Sequence, residues 1–351
     1  MATALAIAAA VLAVSLLIVV HELGHLLAAR RCGMRVERFS VGFGPVILSF
    51  RRGETEYAIS LLPLGGYVKI RGMAPGDDVV PGDGTAYANQ PAWRRFLVIL
   101  AGPFMNYATA VLLAGLLLAT LGLAAPDPAA RVGRIQPGMP AEAAGLRRGD
   151  TILSVAGERV STWRELVASI QRRPGTPVPL EVLRGEGPSA ERLGLTVTPR
   201  DEEGVGRVGF RPHTLLERRD AGAAIFEAFH RTNQSAAAQL AAFGAVFSRS
   251  GAAGFTGPAG IAEELVYGAR DGTAPFFTLV WQISVVLAIL NLLPVPALDG
   301  GRLVFLAYEI VARRRVNERV ENVLHVVGFV LLVGLLLGVT IFKDIPRLLG
   351  W

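Results

Sequence analysis

The chain has 351 residues, 52% hydrophobic and only 18% charged, with a mean hydropathy of +0.44, too apolar for an ordinary soluble protein. Its net charge of +6 sits in arginine clusters beside apolar runs (Arg30, Arg31 and Arg35; Arg94 and Arg95; Arg313, Arg314 and Arg315), with no aromatic-interleaved basic stripe; this points to a lipid bilayer and excludes nucleic acid as a partner. The single Cys32 excludes an intrachain disulfide framework and a cysteine-rich zinc knuckle, so any metal must be held by histidines and carboxylates.

An unbroken apolar run, Ala2 to Val20, opens the chain; crossing a bilayer takes about 20 residues. It continues into His21-Glu22-Leu23-Gly24-His25, so residues 1–30 form a first span with this motif near its end. On a helix, histidines at i and i+4 share one face and can both hold a zinc ion, while Glu22 between them can act as general base. The competing reading, a solvated polar patch, fits poorly with only five histidines in the chain and with the cost of ionisable groups at membrane depth. A signal peptide fits poorly as well, since no basic segment precedes the apolar core.

Residues 31–95 read as a cytoplasmic-side β-hairpin region and loop. Arg35–Phe39, Val46–Arg51, Tyr57–Leu62 and Gly66–Arg71 have strand composition, with turns at Gly42–Pro45 and Pro63–Gly66. Such a sheet either offers an edge to an extended substrate or merely covers the site. Met73–Gln90, rich in Gly, Pro and Asp, reads as a mobile loop. The second span, 96–124, contains Gly102-Pro103, which lipid tolerates where neighbours satisfy the freed carbonyl.

The region 126–212 changes composition: it is charged and alternating. Strands are expected at Val132–Gln136, Thr151–Val155, Val178–Leu183 and Leu193–Thr198, and helices at Ala141–Leu146 and Thr162–Gln171. The stretch from Gln136 through Gly145-Leu146-Arg147-Arg148-Gly149-Asp150 has the cadence of a PDZ domain, whose groove either takes a peptide ligand or stands unused in a spacer. Residues 220–250 read as an amphipathic helix on the outer leaflet or against that domain, acting as a gate or as a strut. Its core is Ala223–Phe247, followed by a glycine-rich turn, Gly251–Gly260.

The third span, 275–300, ends in Asn291-Leu292-Leu293-Pro294-Val295-Pro296-Ala297-Leu298-Asp299-Gly300-Gly301. The prolines stop the helix and the glycines permit a turn after the acid. Residues 301–321 form a cytoplasmic loop, 322–343 a fourth span with Gly328, Gly334 and Gly338 on it, and 344–351 a tail. The basic residues place both 31–95 and 301–321 inside. Spans one and three then run the same way, so Asp299 emerges level with His21 and His25. Two histidines and one carboxylate satisfy the three-ligand requirement of a catalytic zinc; the alternative for Asp299 is a helix N-cap. The expectation is a polytopic α-helical membrane protein with four transmembrane helices, a small membrane-associated β-sheet and one extracytoplasmic PDZ domain.

His21–His25, Phe39–Pro45, Pro63–Tyr67, Gly102–Asn106, Gly257–Ile261 and Asn291–Gly301 together resemble the site-2 protease family of intramembrane zinc metalloproteases, most nearly its bacterial regulator-of-sigma-E group. The resemblance covers nearly the whole chain. It implies Zn2+ on His21, His25 and Asp299, Glu22 as catalytic base, and substrate contacts from Asn291, Pro294 and Pro296. It also implies a substrate-binding strand within Arg35–Arg71, where Gly65, Gly66 and Tyr67 are the candidates. The implied setting is a multi-pass protein of the bacterial inner membrane engaged in regulated intramembrane proteolysis. Its site would lie towards the cytoplasm, and its substrates would be single-span proteins such as anti-sigma factors or remnant signal peptides. Some members carry tandem PDZ domains, whereas this chain has room for one. Two rival classes stay open on the sequence: a non-catalytic peptide-binding membrane protein with a vestigial site, and a metal transporter.

Overall fold

The computed structural model describes residues 2–74, 76–77, 79–185, 187–202, 204–246 and 257–344. These form two compact units, one built from the chain up to Leu121 and from Arg218 onward, the other from Gly122–Glu217.

In the first unit, helix α1 (Ala2–Arg31) runs thirty residues through the opening apolar run. It stops where Gly33 turns left-handed at φ +76° and the Met34 N–H closes back on the Ala29 carbonyl at 2.8 Å. Two long strands follow, β1 (Val36–Arg52) and β2 (Thr55–Ile70). Each is bent, so they make four rungs. Residues 36–41 pair with 66–70 on one side and 56–59 on the other, and 46–52 pair with 55–60. Gly42, at φ +89°, supplies one corner; a Cβ there would lie 2.7 Å from the Leu62 carbonyl oxygen. The four rungs coincide with the four strands expected from composition. Val46, Ile47, Leu48, Phe50, Ile59, Leu61 and Leu62 are all exposed, so this hairpin is apolar on both faces and suited to hydrocarbon.

The stretch Met73–Gln90, expected to be a mobile loop, carries internal hydrogen bonds among its described residues. Its polar side chains close it: Asp77 accepts from the Gly72 and Ala74 N–H groups, and Asn89 donates to the Val80 and Asp83 carbonyls. Arg71 pairs with Asp83 at 3.0 Å, and Tyr87 is buried. Helix α2 (Ala92–Ala119) follows, with Pro103 inside it. It crosses α1 at Gly24, where a Cβ would lie 2.2 Å from the Ala101 carbonyl oxygen. Only glycine allows that approach.

The second unit contains β3 (Leu123–Pro126), β4 (Val132–Ile135), α3 (Pro140–Ala143), β5 (Thr151–Val155), β6 (Glu158–Arg159) and α4 (Trp163–Gln171). Then come β7 (Val178–Arg184), β8 (Glu191–Val197), β9 (Arg200–Glu202), β10 (Val205–Arg207), β11 (Phe210–Pro212) and β12 (Thr214–Glu217). An antiparallel sheet of order β6-β5-β7-β8 carries the core, while β11 pairs with β4 and β12 with β3. Val178, Leu180 and Val182 alternate inward and meet Ile152, Val155 and Leu166. Thr162 and Glu165 form a capping box that starts α4. The expected strands and helices fall on observed ones, with ends shifted by a few residues.

The chain returns to the first unit in α5 (Ala221–Val246). Its polar residues are spent on α2 and on the next span: Tyr107 donates to Asn233 at 2.9 Å, and Trp281 to the fully buried Thr232 at 3.1 Å. The helix expected on the leaflet or the middle domain therefore packs on spans, because those side chains find partners there. Phe247 and residues 251–256 of the expected glycine turn lie outside the described residues, as do 345–351. Helix α6 (Pro258–Asp271) starts within the expected turn, and its Leu265 packs with Ala10, Leu17 and Val280. Helices α7 (Thr273–Leu292), α8 (Asp299–Ala312) and α9 (Glu318–Val339) complete the unit. The 301–321 segment, expected as a loop, is thus largely helical; Arg95 on α2 fastens α8 through Glu309 at 2.5 Å.

Among the described residues, four helical segments are long and apolar enough to cross a membrane: Thr3–Arg31, Ala92–Ala119, Thr273–Leu292 and Arg319–Phe342. The molecule is a helical membrane protein with β regions, as expected.

Candidate metal centre

His21 and His25 stand one turn apart on α1, and α1 delivers both rings to α2 because Gly24 lets the helices touch. The rings meet edge to face with centroids 4.8 Å apart. Both histidines are more than nine-tenths buried. Asp299 arrives from the far end of the chain, as the first residue of α8, not as its N-cap; Leu298 holds that place. The turn that delivers it is tight. A Cβ on Gly300 would lie 2.0 Å from the Leu293 carbonyl oxygen, and one on Gly301 2.6 Å from that of Val295. Ala297 is held left-handed at φ +82°, a conformation costly for a residue with a side chain.

The result is a triangle of donor atoms. His21 Nε2 lies 3.0 Å from Asp299 Oδ2, His25 Nε2 lies 3.3 Å from the same oxygen, and the two nitrogens are 3.1 Å apart. Donors about 2.0–2.1 Å from a tetrahedral zinc lie about 3.3 Å from one another, so these edges match one face of such a site. His25 Nδ1 donates to the Val98 carbonyl at 2.8 Å, which leaves Nε2 of the neutral ring as a lone pair aimed into the triangle. Asp299 Oδ2 is buried with no conventional hydrogen bond. Beneath the rings lies Gly102, where a Cβ would sit 2.3 Å from His25 Nε2 and 2.8 Å from His21 Nε2. Converging lone pairs, an orphaned carboxylate oxygen and a floor kept bare of a methyl group suit a divalent cation. This is the one His, Cys, Asp or Glu cluster with metal-ligand spacing among the described residues. His21 is nine residues from Arg30, so the centre lies about 13 Å along α1 from the basic end of the span.

Glu22 reaches β2, where the Val68 N–H donates to its Oε2 at 3.0 Å. Of the candidate substrate residues, Gly65, Gly66 and Tyr67 immediately precede Val68. Gly65 is left-handed at φ +107° against Ile18 of α1, and a Cβ on Gly66 would lie 2.6 Å from the Ser40 carbonyl oxygen. Tyr67 stacks on Phe43. Ser15 in α1 donates to the Pro63 carbonyl, so this turn is docked on the first span. Asn291 sits in the last turn of α7, Pro294 is exposed, and Pro296 packs under Gly328 of α9. Sequence reasoning missed the Val98 carbonyl, Gly24, Gly102 and the Val68 N–H. The Gly102-Pro103 pair was their one visible signal, as a break in an otherwise regular apolar helix.

A His-His-carboxylate centre with an adjacent glutamate, carried by helices long and apolar enough to cross a membrane, defines a class, that of metal-dependent hydrolases. Peptidase family M50 matches residues 9–335 of the chain. Among similar proteins, one of Nostoc sp. provisionally named a zinc metalloprotease is 35% identical over 352 residues, covering 94% of this chain and 93% of its own. A like-named protein of Clostridium perfringens is 34% identical over 343 residues, covering 96% and 97%. The zinc metalloprotease RasP of Geobacillus kaustophilus is 29% identical over 415 residues, covering 94% and 95%. The chain belongs to peptidase family M50: it is a metalloprotease of that family, and its His-His-Asp cluster suits zinc.

Proposed function

We propose that the protein is an intramembrane zinc endopeptidase that cleaves single-span proteins within or near their transmembrane segments. The convergence of His21 Nε2, His25 Nε2 and Asp299 Oδ2 beside Glu22, between apolar helices, carries this reading. His21, His25 and Asp299 would hold the ion and Glu22 is the catalytic base. When bound, zinc supplies Lewis acidity towards water and towards the scissile carbonyl. Glu22 takes a proton from the attacking water and returns it to the leaving nitrogen. The Val68 N–H donates to one of its oxygens and so helps hold the carboxylate in place. An intact substrate helix hides its carbonyls in hydrogen bonds, so the substrate must unwind first. The segment Gly65–Tyr67, docked beside Glu22, together with Asn291, Pro294 and Pro296, is assigned to holding it extended.

The assignment extends to the setting. Positive flanks argue for residues 31–95 and 301–321 on the cytoplasmic side of a bacterial inner membrane, with 126–212 outside as a PDZ domain. In that domain the role assigned is capture of a peptide added as an extra strand beside α4. Substrates of anti-sigma-factor type, trimmed first on the outer side, and remnant signal peptides suit this arrangement.

The test is Glu22→Gln. The variant should bind one zinc per chain, unfold at the same temperature as the parent, and fail to cut a labelled single-span substrate. Normal turnover by purified Glu22→Gln would remove Glu22 from the chemistry.

A further inference from the structure

The two histidines differ in what holds their outer nitrogens. His25 Nδ1 has the Val98 carbonyl. His21 Nδ1 faces Asn106 on α2, whose Nδ2 lies 3.4 Å away. Asn106 is wholly buried, and its Oδ1 has no hydrogen-bond partner. An amide at membrane depth is costly, and one with an orphaned oxygen more so. Its backbone is anchored as well, since the Ser284 hydroxyl of α7 donates to the Asn106 carbonyl at 2.8 Å.

With Nδ2 toward the ring, Asn106 donates to Nδ1, so the proton of neutral His21 sits on Nε2, inside the triangle, where it can bond Asp299 but blocks a cation. The amide is nearly two-fold in shape. Turned over, its Oδ1 accepts the Nδ1 proton, the orphaned oxygen gains a partner, and Nε2 becomes a bare lone pair.

Resting on the zinc reading above, we propose that Asn106 is the positioning partner of His21: its Oδ1 fixes the ring in the Nδ1–H form and so readies Nε2 for the ion. The two ligands on α1 are then oriented by two neighbours on α2, one a backbone carbonyl and the other a side chain. Loss of such a partner commonly weakens metal affinity about 10–100-fold.

The experiment compares the full-length protein in detergent with Asn106→Leu, which removes the acceptor, and Asn106→Asp, which keeps it. Zinc affinity is read by chelator competition, cobalt-loaded protein by its visible bands, and apoprotein by thermal unfolding. Asn106→Leu should lose about 10–100-fold in affinity and shift the cobalt bands, while Asn106→Asp stays within about threefold of the parent. Asn106→Ala replaces the leucine variant should leucine not fold. Unchanged affinity in Asn106→Leu, with the parent binding zinc tightly, overturns this inference alone. Equal loss in the leucine and aspartate variants marks a packing role and also overturns it. A parent that binds no zinc at His21, His25 and Asp299 overturns the metal reading, and this inference with it.

Discussion

Substituting Gly102 by alanine would test the geometry of the centre with a single methyl group. The added Cβ would lie 2.3 Å from His25 Nε2, 2.5 Å from His25 Cε1 and 2.8 Å from His21 Nε2. Ordinary contact needs about 3.5 Å, so the nearer ring must yield by about 1 Å. Retreat of helix α2 would also cost the close approach made by its preceding residue, Ala101, whose carbonyl lies against Gly24. The imidazoles can turn aside, but metal–ligand distances tolerate only about 0.2 Å. Relief of the clash and retention of the ion are therefore exclusive. Overpacking of this kind costs about 1–3 kcal/mol, equivalent to roughly 5–150-fold in zinc affinity, and a misplacement of about 1 Å costs on the order of 100-fold in turnover. The assay pairs chelator competition with cleavage of a labelled single-span protein, using apoprotein unfolding temperature as the control for folding. Gly102→Ala that binds zinc within twofold of the parent and cleaves at the parental rate would refute the placement of this residue under the rings.

Three further outcomes are expected. Asp150→Ala in the second unit removes an almost wholly buried carboxylate that accepts from the Arg147 N–H and from Arg184 twice, each at 2.8 Å. It should cost about 2–3 kcal/mol, less than a wholly buried pair because Arg184 is 24% exposed; denaturant unfolding showing under about 1 kcal/mol would contradict the pairing. Burial pushes the Tyr87 hydroxyl up to about 12, so the stability it lends is complete below its ordinary value near 10 and is lost as pH rises towards 12. Tyr87→Phe should flatten the alkaline fall in unfolding temperature over that window, and an unchanged profile would assign the fall elsewhere. Gly328→Leu drives a side chain into Pro296, whose Cβ and carbonyl oxygen would lie 2.5 and 2.7 Å from the new Cβ. It should lower thermal stability by about 1–3 kcal/mol, whereas an equally stable variant would mean that α9 does not press on this turn.

Much of the centre was legible in the chain because its signals are local. An HExxH spacing on a helix fixes two rings on one face whatever surrounds them. Apolar length fixes the spans, and the two crossings between His25 and Asp299 bring the acid back level with the histidines. Composition also marked the four rungs of the β1–β2 sheet and the elements of the second unit, since strand alternation and turn glycines act over a few residues.

Long-range contacts were decided only on folding. The polar face of α5 read as a surface feature because nothing local shows that Asn233 and Thr232 will meet Tyr107 and Trp281. The hydrogen bonds of the Met73–Gln90 loop were not legible in the sequence, because they depend on where Asp77, Asp83 and Asn89 land. The orientation of each imidazole rests on Val98 and Asn106, 73 and 85 residues away in the chain. Residue type and spacing thus determined which atoms can bind a metal. The crossing of α1 and α2, set by two glycines with no side chain to read, decided how those atoms point, because lone-pair direction depends on partners that sequence proximity does not supply.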